Sequence, residues 1–292
     1  MLQIKTFLWS YIRAALKSFG FKRKYEVDGV VIDIDFTHRM PDYRKDHPHY
    51  DRFLVHLVQF LSDKSLVVEV GANVGYTFIS MAQNNDSLEY VLFEADDNCY
   101  KDLQNNIEKL RKINKNVSVN ALKQFVGLDI DNVSLEPYAG SNHAVLDGGG
   151  IFSKSLVESF NELGLDSQKL SLLISDVDGY DWDVIRSSYD LLEHNPYLYF
   201  ECWYLNESQH QNFNKLFQEL SHKGYSGFVF FDNYGQYMCT VTELSQVESL
   251  LDYIAKQNFN TSTRTMYYYD VLAFSNDKSA EVSKIIDGYR SF

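Results

Sequence analysis

Two short stretches carry residues whose types and spacing can do chemistry. In "VVEVGANVGYTF", Glu69, Gly71, Asn73 and Gly75 fall at alternate positions after an apolar run; in "VLFEADD", Glu94 follows Gly75 by 19 residues. Gly71 lets a chain turn sharply out of a strand, and Gly75 lets the next helix pack closely. A carboxylate about 20 residues further on, at the tip of a second strand, is placed to grip two ribose hydroxyls. The pair of stretches therefore reads as a nucleoside site. A dinucleotide fingerprint needs glycine where Asn73 stands, and Glu69 would repel a pyrophosphate. An acid at that point suits a cofactor with a cationic amino-acid end, as S-adenosylmethionine has.

A third stretch, "SDVDGYDWD", places four aspartates in nine residues after the apolar run "LSLLI". A calcium loop of the D-x-D-x-D-G kind is excluded, since Tyr180 and Asp181 occupy the positions that need an oxygen ligand and a glycine. Asp176 and Asp178 are expected at the rim of the cofactor cleft, and Asp181 and Asp183 at the start of a helix, where negative charge meets the positive end of the dipole. Glu201, ending the next strand in "YLYFEC", points to the same cleft. His143, in the glycine-rich "YAGSNHAVLDGGG", is a further candidate base. Bare acids, without a metal, are the expected arrangement. His47, His49 and Arg44 in "RKDHPHYDR", and the aromatic pair Trp203 and Tyr204, are weaker candidates for lining an acceptor site.

These groups need a scaffold that brings strand ends together. From residue 65 onward, strand patterns alternate with helical ones: "SLVVEVGA", "GYTFISMAQNN", "EYVLFEAD", "CYKDLQNNIEKLRKIN", "VSVNALKQFVG", then, after a long irregular stretch, "LSLLISDV", "DWDVIRSSYDLLEHN" and "YLYFECWY". Such alternation builds a parallel sheet covered on both faces, with ligands at the carboxyl ends of the strands. The tail differs, with a hairpin around Asn233-Tyr234-Gly235, a helix near 243 to 257 and a last strand "TMYYYDVLAF". Late antiparallel strands close one sheet. Upstream, "EVDGVVIDIDF" is a strand pair turning at Asp28-Gly29, "THRMPDYRKDHPHYDRF" is a polar loop, and "YDRFLVHLVQFLS" a helix.

In order and spacing, "VVEVGANVGYTF", "VLFEADDNCYKDLQNNI", "LLISDVDGYDWDVI" and "YLYFEC" resemble the motifs of the FkbM family of S-adenosylmethionine-dependent methyltransferases, over residues 67 to 202. The resemblance implies a class I methyltransferase (Rossmann-like) α/β fold with a seven-stranded, mostly parallel sheet and antiparallel closing strands. It also implies O-methylation of a sugar or other hydroxyl-bearing metabolite, such as a glycan intermediate of a bacterial surface polysaccharide. Glu69, Gly71, Asn73, Gly75, Glu94 and Asp176 would then bind the cofactor, and Asp176, Asp178, His143 and Glu201 would serve the transfer. The sequence departs from the family where acid-proline becomes Glu94-Ala95, and where Asp-Val-Glu-Gly becomes Asp176-Val177-Asp178-Gly179. Two readings compete with this one: a catalytically silent fold used as a scaffold subunit, and an NAD-dependent oxidoreductase.

The division expected is an amphipathic N-terminal helix (1–24), a strand pair, loop and helix forming an acceptor cap (25–66), and the methyltransferase domain (67–292). The net charge of -13 excludes a general nucleic-acid binder. Lys5, Arg13, Lys17, Lys22, Arg23 and Lys24 face no acid within the first 24 residues, so the N-terminal helix is expected either to lie on an anionic membrane surface, near a lipid-linked acceptor, or to pack on the body or a second subunit of a homo-oligomer. Three widely spaced cysteines and no ~20-residue apolar run fit a cytoplasmic protein, held at most to the inner membrane face.

Overall fold

The computed structural model describes residues 12, 13, 16, 19, 21–128, 133–138, 141–146, 149–259, 264 and 266–291, with backbone alone at 137, 138, 141–144, 146 and 258. The chain opens with an antiparallel hairpin, β1 (Lys22–Val27) and β2 (Val30–Asp35). Its turn is Asp28-Gly29, both at positive φ (44° and 85°), the pair that a two-residue hairpin turn favours. Two short helices follow, α1 (Met40–Asp46) and α2 (Phe53–Leu57). Lys22, Arg23 and Lys24 thus belong to a strand, and not to the end of the N-terminal helix. Most of that helix lies outside the described residues. Two of its expected membrane-facing cations are turned to the body, Arg13 to Asp42 at 2.7 Å and Lys22 to Asp102.

Strands and helices then alternate: β3 (Leu66–Val70), α3 (Tyr76–Asn84), β4 (Glu89–Glu94), α4 (Asp97–Ile113) and β5 (Ser118–Lys123). A small hairpin, β6 (Val133–Tyr138) and β7 (Ser141–Leu146), and α5 (Leu156–Leu163) lead to β8 (Leu170–Ser175), α6 (Asp181–Arg186) and β9 (Tyr197–Cys202). The chain ends with α7 (Glu207–His222), β10 (Tyr225–Asp232), β11 (Tyr237–Val241), α8 (Leu244–Phe259), β12 (Tyr269–Ser275) and α9 (Ser279–Arg290).

One sheet holds eight of these strands in the order β11-β10-β12-β9-β8-β3-β4-β5. β5, β4, β3, β8 and β9 run parallel; β12 is antiparallel to both β9 and β10. The expected count of seven omits β11, which extends the edge by pairing antiparallel with β10 through the Asn233-Tyr234-Gly235 turn. β3 and β9 are buried at every residue, the pattern of central strands covered on both faces. Their apolar residues feed two cores, one on each side of the sheet. The order reverses direction between β3 and β8, and at such a switch point the crevice beyond the strand ends is open for a ligand.

Four local features differ from the sequence reading, the first being α1 (Met40–Asp46), which lies in the stretch expected to be a polar loop and starts with Pro41 in its first turn. The helix expected over 181–195 stops at Arg186, because the hydroxyls of Ser187 and Ser188 donate to the carbonyls of Val184 and Ile185 and compete with the helical ladder. The stretch expected to be irregular holds the β6–β7 hairpin and α5. α5 is set by a capping box in which the Ser155 hydroxyl accepts from the Glu158 N–H and the Glu158 carboxylate accepts from the Ser155 N–H. Finally, the helix expected from Tyr50 starts only at Phe53, which leaves Asp51 in a turn at φ 53°.

Gly71 is the residue on which the crevice depends. Its φ is +88°, and a Cβ there would lie 2.0 Å from the backbone oxygen of Asp176. Gly71→Ala must therefore push β3 and β8 apart and is expected to destabilise the protein by more than about 3 kcal/mol. Gly164→Ala, at φ +64° with nothing within 4 Å, is expected to cost about 1 kcal/mol. Urea midpoints of the two variants check the difference, and equal midpoints would contradict it.

Candidate active site

The turn after β3 is hung on the end of β4. The N–H groups of Gly71 and Ala72 both donate to the Phe93 carbonyl, at 2.9 and 3.0 Å, while the Asp176 N–H donates to Val70 at 3.0 Å. Asn73 sits at φ 48°, a conformation asparagine tolerates. Its N–H donates to Glu94 Oε2 at 2.8 Å, and the Asp96 N–H donates to Glu94 Oε1 at 2.8 Å. Both oxygens of Glu94 are thus fixed and each keeps a lone pair for a ligand. Burial nevertheless outweighs these amide bonds and pushes the Glu94 carboxyl up to about 7. Gly75 does not line the cavity. A Cβ there would meet Leu103 of α4 at 2.6 Å, so it serves helix packing.

Glu69, Gly71, Asn73, Glu94, Asp176, Asp178 and Glu201 all line one cavity at the switch point. His143 pairs with Glu136 across the β6–β7 hairpin, and its side chain lies outside the described residues. Among the described residues, four buried polar atoms of this cavity have no hydrogen-bond partner: Glu69 Oε2, Glu201 Oε2, Asn73 Oδ1 and the Tyr76 hydroxyl. Asp176 lines the cavity with an exposed side chain, while the surrounding protein partly desolvates its carboxyl and pushes it up to about 6. Burial, reinforced by the Asp176 charge, pushes Glu69 and Glu201 well above the usual carboxylate range. Among the described residues, no three acids converge as a set of metal ligands.

The four aspartates of "SDVDGYDWD" separate into three jobs. Asp176 and Asp178 line the cavity. Asp181 is fully buried and holds the turn, accepting from the Ser175 hydroxyl at 2.7 Å and from the Val177 and Gly179 N–H groups at 3.3 and 3.4 Å. Asp183 accepts from the Leu128 N–H at 2.7 Å and anchors the loop after β5. Both lie in the first turn of α6 as expected, but their carboxylates serve neighbouring loops.

Other expected positions fall elsewhere. Trp203 and Tyr204 are in the core, and the Tyr204 hydroxyl donates to the Leu251 carbonyl. His47 stacks on Tyr234 with ring centroids 3.7 Å apart, His49 packs edge-on against Tyr289, and Arg44 lies over the Tyr76 ring. The segment 38–51 does contribute to the cavity, but through Met40, Tyr50 and Asp51 among others, and Tyr268 joins them from just before β12. Asp51 and Tyr268 were the misses. Nothing local distinguishes Asp51 from the neighbouring Asp46, and Tyr268 is one of three consecutive tyrosines.

A doubly wound sheet with an antiparallel strand inserted beside β9, an acid before a glycine turn and a carboxylate at the tip of the second strand define a class I methyltransferase. Residues 69–226 match the Methyltransferase FkbM domain, just over half of the 292 residues, and the chain belongs to that family. No curated protein matches the sequence. Solved structures similar to it include an O-methyltransferase from Bacillus cereus in complex with SAH (12% identity, 77% of this chain and 80% of that chain, TM-score 0.45). Another is precorrin-6y C5,15-methyltransferase from Geobacter metallireducens (11%, 77% and 87%, 0.43), and a third is M. jannaschii TYW2 in complex with AdoMet (10%, 86% and 84%, 0.44). The assignment rests on the strand order and the domain match, to which likenesses this distant add nothing.

The raised carboxyls predict the pH response of the ligand-free protein. A carboxyl whose folded value lies above its unfolded value stabilises the fold fully below the unfolded value and loses that contribution as pH rises through the folded one. For Glu94 the window runs from about 4.5 to about 7. The melting temperature is expected to fall across that window, and to fall less in Glu94→Gln. Thermal melts at pH 5, 6 and 7 check both; a wild-type melting point that rises with pH would overturn the account.

Proposed function

We propose that the protein is an S-adenosylmethionine-dependent O-methyltransferase acting on a hydroxyl of a sugar or glycan intermediate. The observation that supports this best is the make-up of the cavity. Carboxylate oxygens without protein partners surround the glycine turn, and Arg39 is the one arginine or lysine among the described lining residues. Such a lining favours the ammonium of an amino-acid end and neutral hydroxyl groups, and disfavours phosphate close to the reacting atoms.

When bound, S-adenosylmethionine supplies a methyl carbon made electrophilic by a sulfonium. The remaining work belongs to the chain. Glu94 presents its free lone pairs to the ribose diol, with its orientation already fixed by the Asn73 and Asp96 amides. Glu69, two residues before the turn, accepts from the ammonium. Asp176, Asp178 and Glu201 orient the acceptor hydroxyl, and the enclosing Tyr50, Tyr76, Tyr180 and Tyr268 limit water around it. Methyl transfer needs an acceptor oxygen aligned with the methyl carbon and relieved of its proton, so fixed acids supply both requirements.

Calorimetric titration with S-adenosylmethionine tests the cofactor half: binding is expected, and none would refute the reading. Glu94→Ala is expected to weaken it by about 1.5 to 3 kcal/mol, through lost hydrogen bonds to a charged group. Unchanged affinity would remove Glu94 from the site.

Contact with an anionic membrane is the second part of the proposal. It is supported by large apolar side chains left open next to the N-terminal cations, Phe19 and Phe21 at 78% and 58% exposure. Because β1 begins at Lys22, removing residues 1–21 spares the hairpin. Sedimentation with phosphatidylserine vesicles is expected for the full chain and not for the shortened one; a full chain that stays in the supernatant would refute the membrane contact.

A further inference from the structure

The cavity has a wall that does not come from the ends of the parallel strands. Met40, Tyr50 and Asp51 reach it from the cap, outside the residues that match the family domain, and Asp51 is the one acid the cap contributes among the described lining residues. Three observations taken together bear on Asp51. Its backbone is at φ 53°, a left-handed conformation that aspartate tolerates at some cost and that recurs at functional sites. Its carboxylate makes no hydrogen bond or ion pair among the described residues. Its neighbours on both sides are locked. The Arg52 guanidinium binds Asp28 at 2.8 Å, and the Tyr289 hydroxyl reaches the carbonyls of His49 and Gly235 at 3.0 and 2.5 Å. A Cβ on Gly235 would lie 2.3 Å from the His49 oxygen, so the hairpin turn presses directly on this segment.

A backbone held on both sides, in a costly conformation, with an unengaged carboxylate facing the cofactor cavity is the arrangement expected of a group kept for a substrate. We propose that the Asp51 carboxylate is the proton acceptor for the hydroxyl that receives the methyl group, a role that rests on the methyltransferase reading above. As the acceptor oxygen bonds to the methyl carbon, its proton passes to an Asp51 oxygen. The carbon–sulfur bond breaks with its electron pair on sulfur, so the sulfonium becomes a neutral thioether and the carboxylate a neutral acid. That acid then returns its proton to solvent. Burial, with the adjacent Asp176 charge, brings the Asp51 carboxyl up to about 7, where it can both take and release a proton near neutrality. Glu69, two residues before Gly71, is thereby left to the cationic end of the cofactor, with Asp176, Asp178 and Glu201 orienting the acceptor.

Two cofactor analogues test this without knowledge of the acceptor. S-adenosylhomocysteine lacks the methyl group, whereas sinefungin carries an amine in its place, next to the point where the acceptor oxygen would sit. Asp51→Asn is expected to bind S-adenosylhomocysteine within twofold of wild type, which also shows that it folds, and to bind sinefungin at least tenfold more weakly. Equal effects on both analogues, or none on either, would overturn the role of Asp51 while leaving the methyltransferase reading in place. Failure of the wild-type protein to bind either analogue would overturn that reading and this one with it. Should the variant not fold, a crystal of the wild-type protein with sinefungin decides the matter: the amine is expected within 3.5 Å of an Asp51 oxygen, roughly hydrogen-bond reach, and an amine paired only with other acids would refute the proposal.

Discussion

The close passage of the β3 turn under the backbone of Asp176 is the constraint from which the rest of the site follows. With the Cβ position of Gly71 only 2.0 Å from that oxygen, no side chain fits there. The two turns are accordingly in direct contact at the point where the sheet reverses order. This contact puts Glu69 and Asp176, 107 positions apart in the sequence, on the same cavity. It also brings the turn close enough to β4 for Phe93 to accept from both Gly71 and Ala72 and for Glu94 to take the Asn73 amide. A bulkier residue at 71 would therefore disturb the Glu94 carboxylate as well as the two strands.

The accumulation of acids around this contact has an electrostatic cost that the structure distributes. Asp181 and Asp183 are buried, yet they receive amide and hydroxyl hydrogens and tie the Val177–Gly179 turn and the loop after β5 in place. They act as local staples, although burial outweighs those bonds at Asp181 and still pushes its carboxyl well above the ordinary carboxylate range. Glu69 and Glu201 each keep a buried oxygen without a partner among the described residues, and burial raises their carboxyls too. Leaving buried oxygens without partners is unfavourable for folding, so their retention is most simply explained by a ligand with hydrogens or positive charge to give.

How much of this was legible in the sequence depended on how local the determining contacts are. The elements from β3 to α4 were readable because each is fixed by its own pattern: a continuous apolar strand, a glycine turn and an acid one strand later. Asp176, Asp178 and Glu201 were readable for the same reason, as acids ending strands of known neighbours. α5 had a local signal too, Ser155 followed by Glu158, which the glycine-rich flanks of the segment obscured. Asp51 had none. Its position follows from Arg52 meeting Asp28 and from Tyr289 and Gly235 closing on His49, contacts 24 to 240 residues apart. The short helices near it were misjudged likewise, because apolar periodicity over 50–62 continues through a turn that only the packing of Phe53 reveals. Phe53 lies with its ring 4.4 Å from Phe231 and 5.4 Å from Tyr289.

Of the aromatic tail only Trp203 and Tyr204 were candidates for an acceptor site, and its rings tie composition to function by a different route. Buried tyrosines need a partner for their hydroxyls, and for three of them the partners are backbone carbonyls of loops. Tyr225 donates to Pro196 at 2.9 Å, Tyr90 to Asn85 at 2.9 Å, and Tyr289 reaches His49 and Gly235. Each ring fills the core while its polar tip fixes a connection that carries no regular ladder of its own. Tyr289 does this for the cap. It links the last helix, the β10–β11 turn and the residues beside Asp51, so the cap wall of the cavity is positioned from the last helix. A substitution far from the cavity at Tyr289 or Gly235 would therefore act on the cap wall of the cavity before it acted on the glycine turn, whose supports come from β4, the Asp176 turn and α4, where Asn106 donates to the Val74 carbonyl at 2.9 Å.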